Sequence, residues 1–289
     1  MDHNDSDLES QNFKRFKAFY GTKTLWNGSL CGLQQFSLSE FEFDNLGQEK
    51  LLKLPAIPVG TVLGKRAEHY FKFCIDQSSN YQCLLHNVQI FNKKTTLGEL
   101  DFIVQHNKSR KLIHIELVYK FYLYRPGATN LTSIVEAELI KYRGPNDRDN
   151  LIRKINRLTT HQLPMLYKKQ TQLLLKEHGI KAKSIAQKVC FLGHVFIPRE
   201  LWDHPFKYIN RAAISGYYLE YSAFAKAETT DIYFLPSKHA WKMTPFPIEP
   251  AYSHEEVTTE VKLSLERGYA PMVWMLTKSK GFERFFVTS

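Results

Sequence analysis

The chain has only four cysteines in 289 residues: Cys31, Cys74, Cys83 and Cys190. None forms a Cys-x-x-Cys pair, so neither a zinc ribbon nor a dithiol redox motif is encoded. All four lie in apolar stretches and read as buried free thiols of a reducing compartment. Neither Gly-x-Gly-x-x-Gly nor a Walker pattern occurs, which leaves nucleotide-driven chemistry without support. No apolar run approaches the roughly 18 residues that a membrane-spanning helix needs. The opening MDHNDSDLES is polar and acidic, unlike a secretory signal. No internal repeat or low-complexity tract is present. These absences predict a cytoplasmic protein with no membrane association.

Acidic residues are also in short supply, with 29 Asp and Glu against 39 Lys and Arg, a net charge of +10. That balance favours an anionic partner, nucleic acid before a membrane surface. A basic, solvated surface without such a partner is the plainer alternative. With 43% hydrophobic and 24% charged residues, the chain has the composition of an ordered globular protein rather than a disordered one.

What is present is centred on Gly98–Lys120, GELDFIVQHNKSRKLIHIELVYK. Two strands, Glu99–Gln105 and Leu112–Leu123, flank a polar hinge. Period-two alternation puts Glu99, Asp101 and Ile103 on one face, and Glu116, Val118 and Lys120 on one face of the next strand. An ionised carboxylate buried without a partner is costly. These carboxylates must therefore face water, pair with a lysine, or hold a cation.

Before the hairpin, Gly60–Asp76 predicts a helix, with Leu63, Ala67, Tyr70, Phe71, Cys74 and Ile75 on one stripe. Glu68 adjoins that stripe, where it could pair with Lys65 or Lys72. Tyr81–Phe91 predicts a strand. Upstream, residues 1–10 are expected to fray, Asn12–Tyr20 reads as a short amphipathic helix, and Leu51–Val59 reads as a linker. Downstream, the stretch from Arg125 to Lys141 has no clear period and reads as an insertion. Asn146 or Asp147 is expected to cap a helix bearing Leu151, Ile155 and Leu158. Pro164 should kink that helix, which resumes through Leu173–Leu175 and ends before Gly179. Val189–Ile197 reads as a strongly apolar strand. Beyond it, Gly216–Tyr218, Ile232–Leu235 and Met272–Leu276 read as strands and Ser253–Arg267 as a helix. The aromatics of this last region could stack bases or fill the core of an α+β extension.

The "GE-hydrophobic-D" opening, the turn and the apolar strand carrying Glu116 resemble the PD-(D/E)XK nuclease superfamily. GKRAEHYFKF, TLGELDFIV, HIELVYKFYL, GPNDRDNLIRKINRLTTHQL and FLPSKHAWKM are similar to a bacterial family named domain of unknown function 1853, in scattered blocks over roughly residues 60–245. The resemblance implies an α/β protein with a restriction-endonuclease-like core, an α-β-β-β-α-β mixed sheet flanked by helices. On that basis the chain divides into an N-terminal helical extension (1–59), a nuclease-like core (60–198) and a C-terminal α+β extension (199–289).

The resemblance further implies one or two Mg²⁺ or Mn²⁺ ions held by Glu68, Asp101 and Glu116, with a catalytic lysine nearby. The superfamily's lysine position is Val118 here. The next lysine, Lys120, lies roughly 13 Å along the strand from Glu116 instead of roughly 7 Å. Lys154, on the following helix, is the other candidate, since only the position of its ammonium matters. Glu99 is expected to support the hairpin or a ligand, and Gln162 to orient a phosphate or water. His114 reads as a neighbour of Glu116 or as a base. The expected activity is hydrolysis of phosphodiester bonds, in DNA rather than RNA. The alternative is a non-catalytic nucleic-acid- or protein-binding module on a decayed nuclease fold.

Overall fold

The structure, a computed structural model, describes residues 2–42, 52–58, 60–227 and 229–289, with side chains from Ser10 onward. In chain order its regular elements are α1 (Asp2–Tyr20), β1 (Ser29–Leu30), β2 (Leu33–Gln34), α2 (Leu63–Gln77), β3 (Tyr81–Asn92), β4 (Thr95–His106) and β5 (Leu112–Tyr124). Then come α3 (Ile134–Leu139), β6 (Tyr142–Arg143), α4 (Leu151–Arg157), α5 (Lys169–Glu177) and β7 (Ile185–Pro198). The remainder is β8 (Ile214–Glu220), α6 (Tyr221–Ala225), β9 (Ile232–Phe234), α7 (His254–Glu266), β10 (Met272–Thr277) and β11 (Gly281–Thr288). This is a mixed α/β chain with a large mixed sheet flanked by helices, in the strand order β3-β4-β5-β7-β8-β11-β10-β9 with β6 on β5. The β7–β8 and β8–β11 pairs are parallel, and the β3–β4 and β4–β5 pairs are antiparallel.

The chain forms two compact units, Met1–Tyr119 with Lys154–Leu192, and Lys120–Arg153 with Gly193–Ser289. They interleave along the sequence, because β5, α4 and β7 each give a segment to both.

In the first unit, the three- and four-residue spacing on α2 buries Ala67, Tyr70, Phe71, Cys74 and Ile75. Phe71 meets Phe102 of β4 at 4.7 Å and Phe41 at 5.2 Å between ring centroids. From α1, Phe16 and Phe19 each approach Tyr70 at 5.6 Å. Burying each such ring contributes about 1.5–3 kcal/mol. The helix starts at Asp2, so residues 2–10 of the stretch expected to fray carry helical backbone. Both ends of the expected Leu51–Val59 linker lie outside the described residues; 52–58 has no regular structure.

The hairpin strands run as anticipated, each slightly longer. Two details after them differ. The cap of α4 is Asn150, whose Oδ1 accepts the Arg153 amide at 2.8 Å, rather than Asn146 or Asp147. Asp147 takes a positive φ of 53° in the turn before it. The helix then widens at Leu158–Gln162 into a π turn, tightens into a 3₁₀ turn over Leu163–Tyr167 with Pro164 at its start, and resumes as α5. Gly179, at φ +68°, closes it. Leu166, Leu175, Ile90, Leu100 and Ile103 make the core beneath this segment.

The second unit has its own core of Tyr217, Phe224, Tyr233, Val257, Val261, Val273, Phe285 and Val287. Ser253 and Glu256 form a reciprocal capping box at the start of α7, which satisfies two backbone donors the helix cannot. The sequence reading did not anticipate β11, because adjacent Phe285 and Phe286 break the period-two alternation. Both rings are buried, Phe286 against Trp241 at 4.8 Å. All four cysteines are free, but Cys31 is exposed and Cys83 half-buried, so only Cys74 and Cys190 match the expected burial. Among the described residues no helix is long and apolar enough to cross a membrane.

Candidate functional site

The β4–β5 register pairs Phe102 with Ile115. One step further along the same antiparallel ladder, Asp101 stands beside Glu116, and opposed residues share a face. Asp101 Oδ2 accepts the backbone amide of Leu117 at 2.9 Å, which fixes the carboxylate against β5. Burial, and then the negative charge of Glu116, push its pKa well above the usual carboxylate range. The Leu117 amide pulls the other way, and Glu68 and Glu99 add smaller upward contributions.

Glu116 is 0% exposed, and donors hold both of its oxygens. Gln162 Nε2 donates to Oε2 at 2.5 Å, and His114 Nε2 lies 3.1 Å from Oε1. The orientation of each partner follows from groups that can only donate or only accept. The Lys154 ammonium donates to Gln162 Oε1 at 2.6 Å, which leaves the amide nitrogen for Glu116. Gln187 Nε2 donates to the Leu163 carbonyl at 2.7 Å and meets His114 Nδ1 at 3.1 Å. His114 Nδ1 must therefore accept, so the ring proton sits on Nε2 and is donated to Glu116. A chain of hydrogen bonds, buried at its centre and half-buried at its ends, thus runs Gln187–His114–Glu116–Gln162–Lys154.

A second cluster forms at the mouth. Lys65 Nζ, one helical turn before Glu68, lies 2.7 Å from Glu68 and 3.0 Å from Glu99. Partial burial alone would lower the lysine's pKa, but the bonds to Glu68 and Glu99 outweigh it and the net shift is upward. Beside it lies a cavity of about 170 Å³ lined by Lys65, Gly98, Glu99, Asp101, Arg157, His161, Gln162 and Met165.

The structure therefore brings Glu116, Gln162 and Lys154 into one bonded arrangement with Asp101 beside Glu116, and joins Glu99 and Glu68 through Lys65. Lys120 is engaged elsewhere: its ammonium meets Asp149 at 2.7 Å in the second unit. Among the described residues no group of three or more His, Cys, Asp or Glu is placed to hold a metal ion. Lys65, His161 and Gln187 were not identified as site residues from sequence. The i, i+3 spacing of Lys65 and Glu68 was a signal for the first. Gln187 offered none, because it lies 73 residues from its partner His114.

Fold and site together define an α/β protein whose mixed sheet carries a wholly buried glutamate and a half-buried aspartate side by side, next to a small cavity lined by both acidic and basic side chains. The chain belongs to the family described as domain of unknown function (DUF1853), whose model matches residues 16–286. No curated protein and no solved structure matches it.

Proposed function

We propose that the protein is a metal-dependent phosphodiester hydrolase, acting on DNA in preference to RNA, with a restriction-endonuclease-like arrangement of its core. The observation that carries this reading is the Asp101–Glu116 pair: two carboxylates side by side on adjacent strands, Glu116 wholly buried and Asp101 half-buried at the cavity. Such a pair raises its own electrostatic cost, and a cation between them removes it. The donor set is all oxygen, which suits a hard ion such as Mg²⁺ or Mn²⁺. Asp101 and Glu116 would hold the ion, with Glu68 within reach only if Lys65 releases it. When bound, the ion supplies Lewis-acid stabilisation of phosphoryl charge and lowers the pKa of an attacking water.

The chain's own residues do the positioning. His114 and Gln162 lock the Glu116 rotamer, Gln187 fixes the His114 tautomer, and the Leu117 amide orients Asp101. Lys154, tied to Gln162, supplies the fixed positive charge that the shifted strand lysine does not. The test is cleavage of plasmid, linear and branched DNA with Mg²⁺ or Mn²⁺. Glu116→Gln is expected to lower the rate by about 10³-fold or more, as loss of a group essential to charge stabilisation does. Cleavage that survives Glu116→Gln, or proceeds in EDTA, refutes the assignment.

A non-catalytic binding module is the second reading. It draws on Lys120 being held by Asp149 and on both Glu116 oxygens being satisfied within the chain. Calorimetric titration with Mn²⁺ separates the two, since that module takes up no ion yet binds DNA with a steep salt dependence.

A further inference from the structure

The π turn at Leu158–Gln162 has a consequence for the substrate. In a regular α-helix, residue i+5 lies about 140° around the axis from residue i. In the wider i→i+5 turn it returns to the same face. That is how Arg157, His161 and Gln162 all come to line the one cavity that also holds Asp101. The three do different things there. Gln162 is committed to Glu116 and Lys154. Lys65 is shared between Glu68 and Glu99. The Arg157 guanidinium and the His161 ring make no hydrogen bond or ion pair among the described residues, and both are exposed. The cavity lining thus carries two groups of donors without acceptors, while the carboxylates around it already accept from donors of their own.

Size decides what fits. About 170 Å³ is the space of about five or six waters and well below the roughly 300–1,000 Å³ of pockets that enclose a drug-sized molecule. A phosphate group enters, and a nucleoside does not. We infer that Arg157 and His161 form a subsite for a single backbone phosphate of a nucleic acid, gripped by the guanidinium fork and the imidazole, with sugar and base left outside. This rests on the hydrolase reading in taking the ligand to be a phosphodiester. It adds that the protein reads the backbone and not the base at this point, so recognition here is sequence-independent.

The experiment measures binding of a fluorescein-labelled duplex of about 20 base pairs by the full-length protein in EDTA, at several KCl concentrations. Arg157→Ala is expected to weaken binding about tenfold and to reduce the slope of log K against log salt by about 1. His161→Ala should weaken it about threefold, and Arg157→Lys should restore only part of the loss, because a lysine lacks the bidentate fork. Lys183→Ala, an exposed charge change in a short 3₁₀ turn, should stay within about twofold. Inorganic phosphate added as competitor should displace the duplex from wild type more readily than from Arg157→Ala.

Wild-type affinity in the double variant Arg157→Ala/His161→Ala overturns the inference, and so does a wild type that fails to bind the duplex. Failure of the hydrolase reading looks different. A duplex lost on Arg157→Ala but never cut with Mn²⁺ leaves the subsite standing alone. Cleavage with unchanged KM in Arg157→Ala leaves the hydrolase standing without the subsite.

Discussion

Strand β5 carries two ionic arrangements four residues apart, and they differ in kind. In the first unit Glu116 is wholly buried, held by an amide and an imidazole, and stands beside Asp101, whose proton affinity is raised first by its own desolvation and then by the charge of Glu116. In the second unit Lys120 meets Asp149 with the two side chains 39% and 31% exposed. The second is an ordinary surface pair, worth between 0 and about 1 kcal/mol. The first is an arrangement that a chain selected only for stability would not keep, because a buried carboxylate beside a half-buried one costs more than apolar residues of the same shape. Where two parts of one strand diverge like this, the costly part marks the site.

The same contrast appears in two strand glycines. A Cβ on Gly216, in the second unit, would strike the Arg284 carbonyl oxygen and come within 2.8 Å of the Phe196 ring. A Cβ on Gly98 would come within 2.5 Å of the Met165 methyl, the end of a flexible side chain. The second unit is closely packed against backbone there, whereas the cavity wall of the first can give.

Four substitutions sharpen or break the comparison. Gly216→Ala should cost about 3 kcal/mol or more of unfolding free energy in a urea titration, since backbone cannot move aside; a loss under about 1 kcal/mol would show that the second unit is as yielding as the first. Asp101→Asn comes next and has the opposite sign, raising stability at neutral pH in metal-free buffer by about 1–2 kcal/mol, or about 2–4 °C of Tm for each kcal/mol.

The pH dependence follows from the direction of the shift. Folded Asp101 holds its proton more tightly than the unfolded chain does. Wild-type stability therefore loses a contribution as pH rises from about 4, the unfolded value, towards the raised folded value. Asp101→Asn should flatten that part of the profile, and Mg²⁺ should stabilise the wild type but not the variant. A Tm lower in the variant at pH 7 would mean that the pair is not strained.

Gly98→Ala should cost only about 1 kcal/mol, with Met165 displaced; a loss equal to that of Gly216→Ala would remove the distinction between the two regions. Lys120→Ala should change stability by less than about 1 kcal/mol and leave metal-dependent cleavage within about twofold. A large loss of activity would return the strand lysine to the site.

Much of the first unit was legible because its elements follow local periods. The stripe on α2 and the apolar strands β3 to β5 needed only three- and four-residue or two-residue spacing to be seen. Asp101 and Glu116 stood out as acids within apolar strands. The family motifs placed Lys154 and Gln162 near them. Gln162, expected to orient a phosphate or water, also holds Glu116 across 46 residues of sequence. The Asn150 cap is a local contact, but Asn146 and Asp147 offered the same chemistry a few residues earlier; β11 was obscured by its adjacent Phe285 and Phe286, and the π turn left no local pattern.

The amino-acid sequence by itself determined the helix and strand periods, the basic balance, and the presence of carboxylates where apolar residues belong. These are properties of neighbours along the chain, fixed by spacing and chemistry. Tertiary structure alone decided which lysine is spent on Asp149, which amide locks Glu116, and that a widened turn lines a phosphate-sized cavity with Arg157 and His161. Those outcomes depend on distances of a few ångströms between residues tens of positions apart, and only the packed chain sets such distances.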